Sequence, residues 1–357
     1  MNKKYYFHVL LMLFIFISII TSGCSSDESI PKDQIQEEST SIIAPSIKVN
    51  EEYYRGVLPY KSSPIGRMLI KIPTRLNANH FEMGLIELAK QNYDPAQFVF
   101  QEGQALTMNE IEPLFKQKGN ENFLYSVTEH DYLYEDGKYG GIVIGILVSS
   151  TYEVEVEGQK VKKFYTEKEL EENSLRIIED LASLIRKRKN LEEPSIYFAV
   201  MKTEENDVKL PGTFIFQGNV KGKSEQIEDW KKVNEYFIFL PSSLSGLEDK
   251  DSEIVRGFNY FKKEMDEYLP RYSGVVGLAK KVNGELVELT IRVNTETDST
   301  VEIIQLTQFA ISIIPEFFQK DIQLNLYVNS IDQPKAIYVR QANGDDFMHI
   351  FRTTYQP

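Results

Sequence analysis

The sequence predicts an α+β fold: mixed or antiparallel sheets, helices on one face of each, and two similar ββαββ repeat units. Three observations predict it. Hairpin signals outnumber single strand–helix alternations; Gly158-Gln159 and Asn283-Gly284 each join two strand-like runs. A long amphipathic helical stretch follows each of these hairpins, one starting after Thr166 and one at Thr300. The order hairpin, helix, two further strands occurs twice, over roughly 138–218 and 271–345. In that pairing Gly140-Gly141-Ile142-Val143-Ile144-Gly145 stands against Ser273-Gly274-Val275-Val276-Gly277-Leu278.

The first residues carry an address. Lys3 and Lys4 are followed by an almost continuous apolar run from Tyr5 to Ile20, then by Thr21-Ser22-Gly23 and Cys24. Basic, apolar, small, cleavage point is the layout of a secretory signal. The run is short for a membrane span, which needs roughly 20 residues. Cys24, the only cysteine, sits where a bacterial lipoprotein carries its acylated cysteine, with Gly23 as the last residue of the signal. An uncleaved anchor helix is the alternative. Both place the protein outside the cytoplasm and tethered at the membrane. Two or more acyl chains hold a protein stably, at about 0.8 kcal/mol per buried methylene.

Composition narrows the function classes. The chain has 357 residues, a net charge of −13 and 42% apolar content. The length exceeds one typical domain, and the apolar share can fill a sizeable core. So acidic a surface argues against nucleic acid and against electrostatic adhesion to anionic lipid. With Cys24 acylated, no thiol remains for a disulfide or for catalysis. Residues 24–50 are rich in Ser, Glu and Gln with few aromatics, and read as a flexible tether after the 1–23 signal.

Three segments follow, 51–137, 138–250 and 251–357. In the first, short strands are expected at Tyr54–Tyr60, Met68–Ile72 and Phe98–Gln104, and helices at about Asn79–Gln91 and Met108–Lys116. In the second, Ile142–Ser149 is an apolar strand, and Thr151–Val156 pairs with Lys160–Tyr165. Thr166 with Glu169 forms a capping box for a helix reaching about Arg188. Its acidic start and basic end match the helix dipole. Strands are expected at Ile196–Lys202 and Thr213–Gln217, a helix around Gln226–Val233, and a strand at Tyr236–Leu240. In the third, a helix from about Asp251 to Tyr268 precedes strands at Gly274–Lys281 and Leu286–Val293. A helix from Thr300 to about Phe318 and strands at Ile322–Val328 and Ala336–Arg340 complete it.

Catalytic signatures are sparse. His80, His130 and His349 are the histidines beyond Cys24. His130 lies between Glu129 and Asp131, and His349 follows Asp345 and Asp346. A carboxylate beside an imidazole suits a metal or a general base, but these neighbours read as polar loop, hence solvated surface. There is no HExxH, no GxSxG and no phosphate-binding glycine loop. No metal site and no cofactor is expected. Phe100-Gln101-Glu102-Gly103-Gln104 joins polar side chains to a turn glycine beside an apolar strand. It is read either as a structural turn whose glutamines tie down the backbone or as a groove in which Gln101, Glu102 and Gln104 bind a ligand.

Several stretches carry a family resemblance. They are Tyr54-Arg55-Gly56-Val57-Leu58-Pro59, Phe100-Gln101-Glu102-Gly103-Gln104, Tyr272-Ser273-Gly274-Val275-Val276-Gly277 and Glu302-Ile303-Ile304-Gln305-Leu306-Thr307-Gln308. With the signal, they make the chain similar to the CamS family of Gram-positive lipoproteins. The resemblance implies a precursor whose cleaved signal yields a short apolar sex pheromone sensed by enterococcal donor cells, here about residues 16–22. For the mature domain the expectation is a non-enzymatic module binding a protein, a peptide or a cell-wall component. The alternative is a carboxylate-based hydrolase acting at the wall. It would need two converging carboxylates about 5–9 Å apart, Glu102 with an acidic residue of another segment being the first pair to inspect.

Overall fold

The computed structural model describes residues 53–65, 74–117, 123–203, 210–243, 249–268, 272–331, 333–342 and 346–352. Gly23, Cys24, the 16–22 stretch, the tether and the strand expected at Met68–Ile72 lie outside them. The described residues belong to one compact unit, Thr40–Pro357.

The class is α+β, as expected. In chain order the first half runs β1 (Arg55–Gly56), α1 (Arg75–Lys90), β2 (Val99–Glu102), α2 (Met108–Lys116), β3 (Leu124–Leu133) and β4 (Tyr139–Val148). It continues with β5 (Thr151–Val156), β6 (Gln159–Phe164), α3 (Glu167–Arg186), β7 (Ser195–Lys202), β8 (Thr213–Val220) and β9 (Glu228–Lys232). The second half is β10 (Glu235–Leu240), α4 (Asp249–Tyr268), β11 (Tyr272–Val282), β12 (Glu285–Thr295), α5 (Thr300–Phe317), β13 (Gln323–Ser330), β14 (Gln333–Arg340) and β15 (Asp346–Ile350).

A seven-stranded sheet has the order β1-β2-β3-β4-β7-β8-β9, and a six-stranded sheet runs β10 to β15 in sequence. β5 and β6 form a separate ribbon. From β2 onward, with that ribbon set aside, the two sheets have one connectivity, β-α-β-β-α-β-β-β. The pairings agree as well: only β4–β7 and β12–β13 are parallel in these two series, each bridged by a helix. This match differs in register from the one drawn in the sequence. The sequence sets β4 against β11; topologically β4 corresponds to β12, and β3 to β11. The shift arises because β3 reads as loop in the sequence and the β5–β6 ribbon takes its place. Two further strands differ from expectation: Glu228–Lys232 is a strand where a helix was expected, and β15 was not expected.

Local chemistry explains the elements. Thr166 accepts from the Glu169 N–H while the Glu169 carboxylate accepts from Thr166, so α3 starts where the capping box places it. Its Leu170, Ile177, Ile178, Leu181 and Ile185 are buried. The central strand β4 is apolar throughout because both its faces are covered. Ile142, Ile144, Ile146 and Val148 pack with α2 and α3 residues, whereas Val143 and Leu147 pack with Phe81, Leu85 and Leu88 of α1. Strand side chains alternate between faces, so the first sheet carries helices on both. In this respect it departs from the expected one-sided cover. Gly145 permits the close approach of α1: a Cβ there would sit 2.5 Å from Phe81 and 2.6 Å from Leu85. In the second sheet, α4 and α5 pack on one face. Leu289, Ile291, Val293, Leu324, Leu326 and Val328 alternate inward against α4 and α5.

Candidate functional site

The Phe100–Gln104 segment lies on β2 and the loop after it. β2 pairs antiparallel with β3, which sets Gln101 opposite Asp131 and Glu102 opposite His130. The Gln101 Nε2 donates to Asp131 Oδ2 (3.1 Å), as do the Gln104 N–H (2.9 Å) and the Tyr139 hydroxyl (3.2 Å). Glu129, two residues earlier on the same face, accepts from the Ala105 N–H (2.8 Å) and the Leu106 N–H (2.9 Å). The Gly103 N–H donates to the Glu129 carbonyl (2.8 Å). Gly103 has no room for a side chain, since a Cβ would meet the Glu129 side chain at 2.2 Å. Three successive positions after β2 are therefore held by two buried carboxylates. Glu102 and Gln104 work outward from the same loop. Glu102 accepts from the Tyr60 hydroxyl (2.8 Å) and the Ser63 N–H (3.0 Å). Gln104 Nε2 reaches the carbonyls of Ser62, Glu102 and Gly103 at 3.0 to 3.3 Å.

Electrostatics make the carboxylates a pair. Burial raises Glu129 well above the usual range, and the Asp131 charge and the hydrogen bond between the two groups push the same way; the Leu106 and Ala105 amides oppose. Burial also raises Asp131, against the Glu129 hydrogen bond, the Gln104 N–H, Gln101 and Tyr139. Asp131 Oδ1 is buried without a hydrogen-bond partner among the described residues. Both carboxyls are thus pushed toward their protonated form at the site that anchors the loop.

His130 is a correction to the sequence reading. It is buried, not solvated surface, and its ring meets Phe100 edge-on at 5.1 Å. Burial pushes its pKa down to about 4, against the Glu102 charge. His349 is exposed on β15, as expected. His80, on α1, belongs to a second polar node. Its Nε2 lies 2.7 Å from Glu235 Oε1, which also accepts from the Phe214 N–H (3.1 Å). Lys280 Nζ lies 3.0 Å from Glu235 Oε2. Burial would raise Glu235; the His80 hydrogen bond, the His80 and Lys280 charges and the Phe214 N–H together hold it below the ordinary value. This node ties α1 and β8 of the first half to β10 and β11 of the second.

A third polar group lies on the face of the second sheet opposite α4 and α5. Val276, Arg292, Asn294, Tyr327 and Asn329 line a hollow of about 400 Å³. Glu235 and Arg292 are not singled out in the sequence, and Glu129 and Asp131 are weighed there only beside His130 and set aside as solvated surface, whereas both are buried. The one available signal was Thr128-Glu129-His130-Asp131-Tyr132, whose Thr, Tyr and alternating acids suit a strand with a polar stripe. Among the described residues, no group of three or more His, Cys, Asp or Glu could hold a metal ion, and no helix is long and apolar enough to cross a membrane.

Fold and site define a two-sheet α+β protein whose buried carboxylates anchor the loop between its second strand and second helix. The particular family follows from comparison with known proteins. A family model described as CamS sex pheromone cAM373 precursor matches residues 60–122 and 114–346, and the chain belongs to this family. Solved structures agree on the fold. The sex pheromone precursor from Lactobacillus salivarius subsp. salivarius UCC118 is 20% identical with a TM-score of 0.76, covering 88% of this chain and 100% of that one. The C-terminal domain of the sex pheromone staph-cAM373 precursor from Staphylococcus aureus is 22% identical with a TM-score of 0.65, covering 78% and 98%. No curated protein sequence matches the chain.

Proposed function

We propose that the protein is a lipid-anchored pheromone precursor on the extracytoplasmic face of the cell membrane. Residues 1–23 are its cleaved signal, about 16–22 the released peptide, Cys24 the acylated residue and 24–50 the tether. The mature domain acts as a non-enzymatic binding module for a protein, a peptide or a wall component. The observation that carries this reading is the family match over 60–122 and 114–346, downstream of a basic, apolar, small-residue stretch ending at Cys24. The Nε2 groups of Gln101 and Gln104 and the Glu102 carboxylate are engaged within the protein. A ligand is thus better served by other surfaces, and these three residues shape the loop.

Mass spectrometry of the membrane fraction and the culture medium tests it. The expected result is an acylated Cys24 as the new N-terminus, with a peptide ending near Ser22 or Gly23 in the medium. Cys24→Ala should leave an unacylated protein with its signal uncleaved. An unmodified, unprocessed wild-type N-terminus would overturn the reading.

A further inference from the structure

We propose that the hollow on the face of the second sheet opposite α4 and α5 binds an acidic glycan, a sugar chain whose rings carry carboxylates. This names a ligand for the binding role proposed above and rests on that role, but at a surface separate from the 101–104 loop.

Strand register builds the site. Val276 pairs with Arg292, Arg292 with Tyr327, Tyr327 with Ile337, and Ile337 with His349. Directly paired residues share a face, so these five side chains form one row across β11 to β15. Asn294 and Asn329 extend the next row beside it, the Asn329 Nδ2 donating to Asn294 Oδ1 at 3.4 Å. The opposite side chains of the same strands fill the core, so the row stands on a rigid base.

Charge points to the ligand. The chain carries −13, yet none of the described residues that line this hollow is a carboxylate. Other cations of this face are committed: Lys280 to Glu235 at 3.0 Å and Lys335 to Asp298 at 3.0 Å. Among the described residues the Arg292 guanidinium has no ion pair and the Tyr327 hydroxyl no hydrogen bond. A planar guanidinium fork matches a carboxylate bidentately. A single free cation fits a monoanion better than a phosphate dianion. The Asn294 and Asn329 carboxamides offer donors and acceptors to hydroxyls, and the Tyr327 ring an apolar face with a polar tip, as amphipathic recognition requires. An open platform several strands wide suits a chain lying across it better than a small molecule needing enclosure.

The test uses the full chain in detergent micelles and titrates trigalacturonate, chitotriose and inorganic phosphate by calorimetry. Trigalacturonate should bind, and chitotriose and phosphate should bind at least about tenfold more weakly. Arg292→Gln should weaken trigalacturonate by about tenfold or more, and Arg292→Lys, which keeps charge without the fork, by a few-fold. Tyr327→Ala should weaken both glycans. Lys163→Gln on the distant β6 should leave binding unchanged. Arg292 is exposed, so its variants should fold, which circular dichroism checks. Absence of trigalacturonate binding, equal binding of chitotriose or phosphate, or insensitivity to Arg292→Gln would each overturn the proposal. Acylation of Cys24 is read separately by mass, so failure here leaves the anchored-precursor reading standing.

Discussion

At the scale of single residues, the buried Glu129–Asp131 pair makes stability fall as pH rises. Glu129 is held above its unfolded value, by burial first and then by the Asp131 charge. The folded state therefore binds a proton that the unfolded state gives up. A group raised in this way contributes stability that is complete below the unfolded value and is lost as pH rises through the folded one. Between those limits the slope is about 1.4 kcal/mol per pH unit for one proton. Chemical denaturation followed from mildly acidic to alkaline pH should show stability falling across that window. Asp131→Asn removes the neighbouring charge, lets Glu129 ionise more easily, and should flatten the fall. A steeper fall in the variant would mean that the two carboxyls do not share the proton. The carboxylates also explain Gly103, since any side chain there would displace the group that anchors the loop.

At the scale of elements, α1 shows how a short polar signal places a large apolar surface. Thr74 caps it by accepting from the Asn77 N–H at 3.2 Å. The helix starts there, one turn before the position at which its apolar spacing becomes legible. Thr74→Ala should cost about 1 kcal/mol, as loss of a side-chain cap does. Thermal denaturation reads the loss, and an unchanged midpoint would mean that tertiary packing alone fixes the helix start. Other elements show where sequence patterns mislead. β3 alternates Ser126, Thr128 and His130 on one face with Glu129 and Asp131 on the other. Periodicity reads such a strand as loop, because buried Ser126, Glu129, His130 and Asp131 interrupt its apolar positions, and Glu129 and Asp131 find donors on the 101–106 segment, distant in sequence. β4 was legible for the opposite reason: both faces are covered, and every inward position is apolar. β9 (Glu-Asp-Trp-Lys-Lys) lies at a sheet edge with mostly exposed side chains. Its charges give no strand period, and only its pairing with β8 decides its conformation. The loop 103–106 was half legible: the glycine and the glutamines announced a turn, and the carboxylates that hold it did not announce themselves.

At the scale of the molecule, the two sheets share one connectivity and are joined by only two residues, Val233 and Asn234, between β9 and β10. So short a link leaves much of the junction to side chains: the His80 ring packs edge-on against Phe237 at 5.2 Å, and Glu235 carries the charged contacts across it. It binds His80 of α1 and the Phe214 N–H of β8 on one side and Lys280 of β11 on the other. Its carboxylate is nearly inaccessible, with 3% of the side chain exposed. Breaking a buried pair by removing one charge leaves the partner desolvated and uncompensated, a loss of about 3–5 kcal/mol. Glu235→Gln keeps the shape and a hydrogen bond to His80 but strands Lys280, so the loss should lie near the lower end, about 3 kcal/mol. Because Glu235 is held below its unfolded value, its contribution is present above that value and is lost as pH falls through the folded one. Acid should therefore weaken the wild type at this junction, and the variant should show a smaller loss over the same range. Calorimetry adds a readout specific to the junction. If Glu235 couples the halves, the variant should unfold in two separable steps where the wild type shows one. A single, uniformly lowered transition would instead mean that packing between β8 and β10 couples the sheets without it.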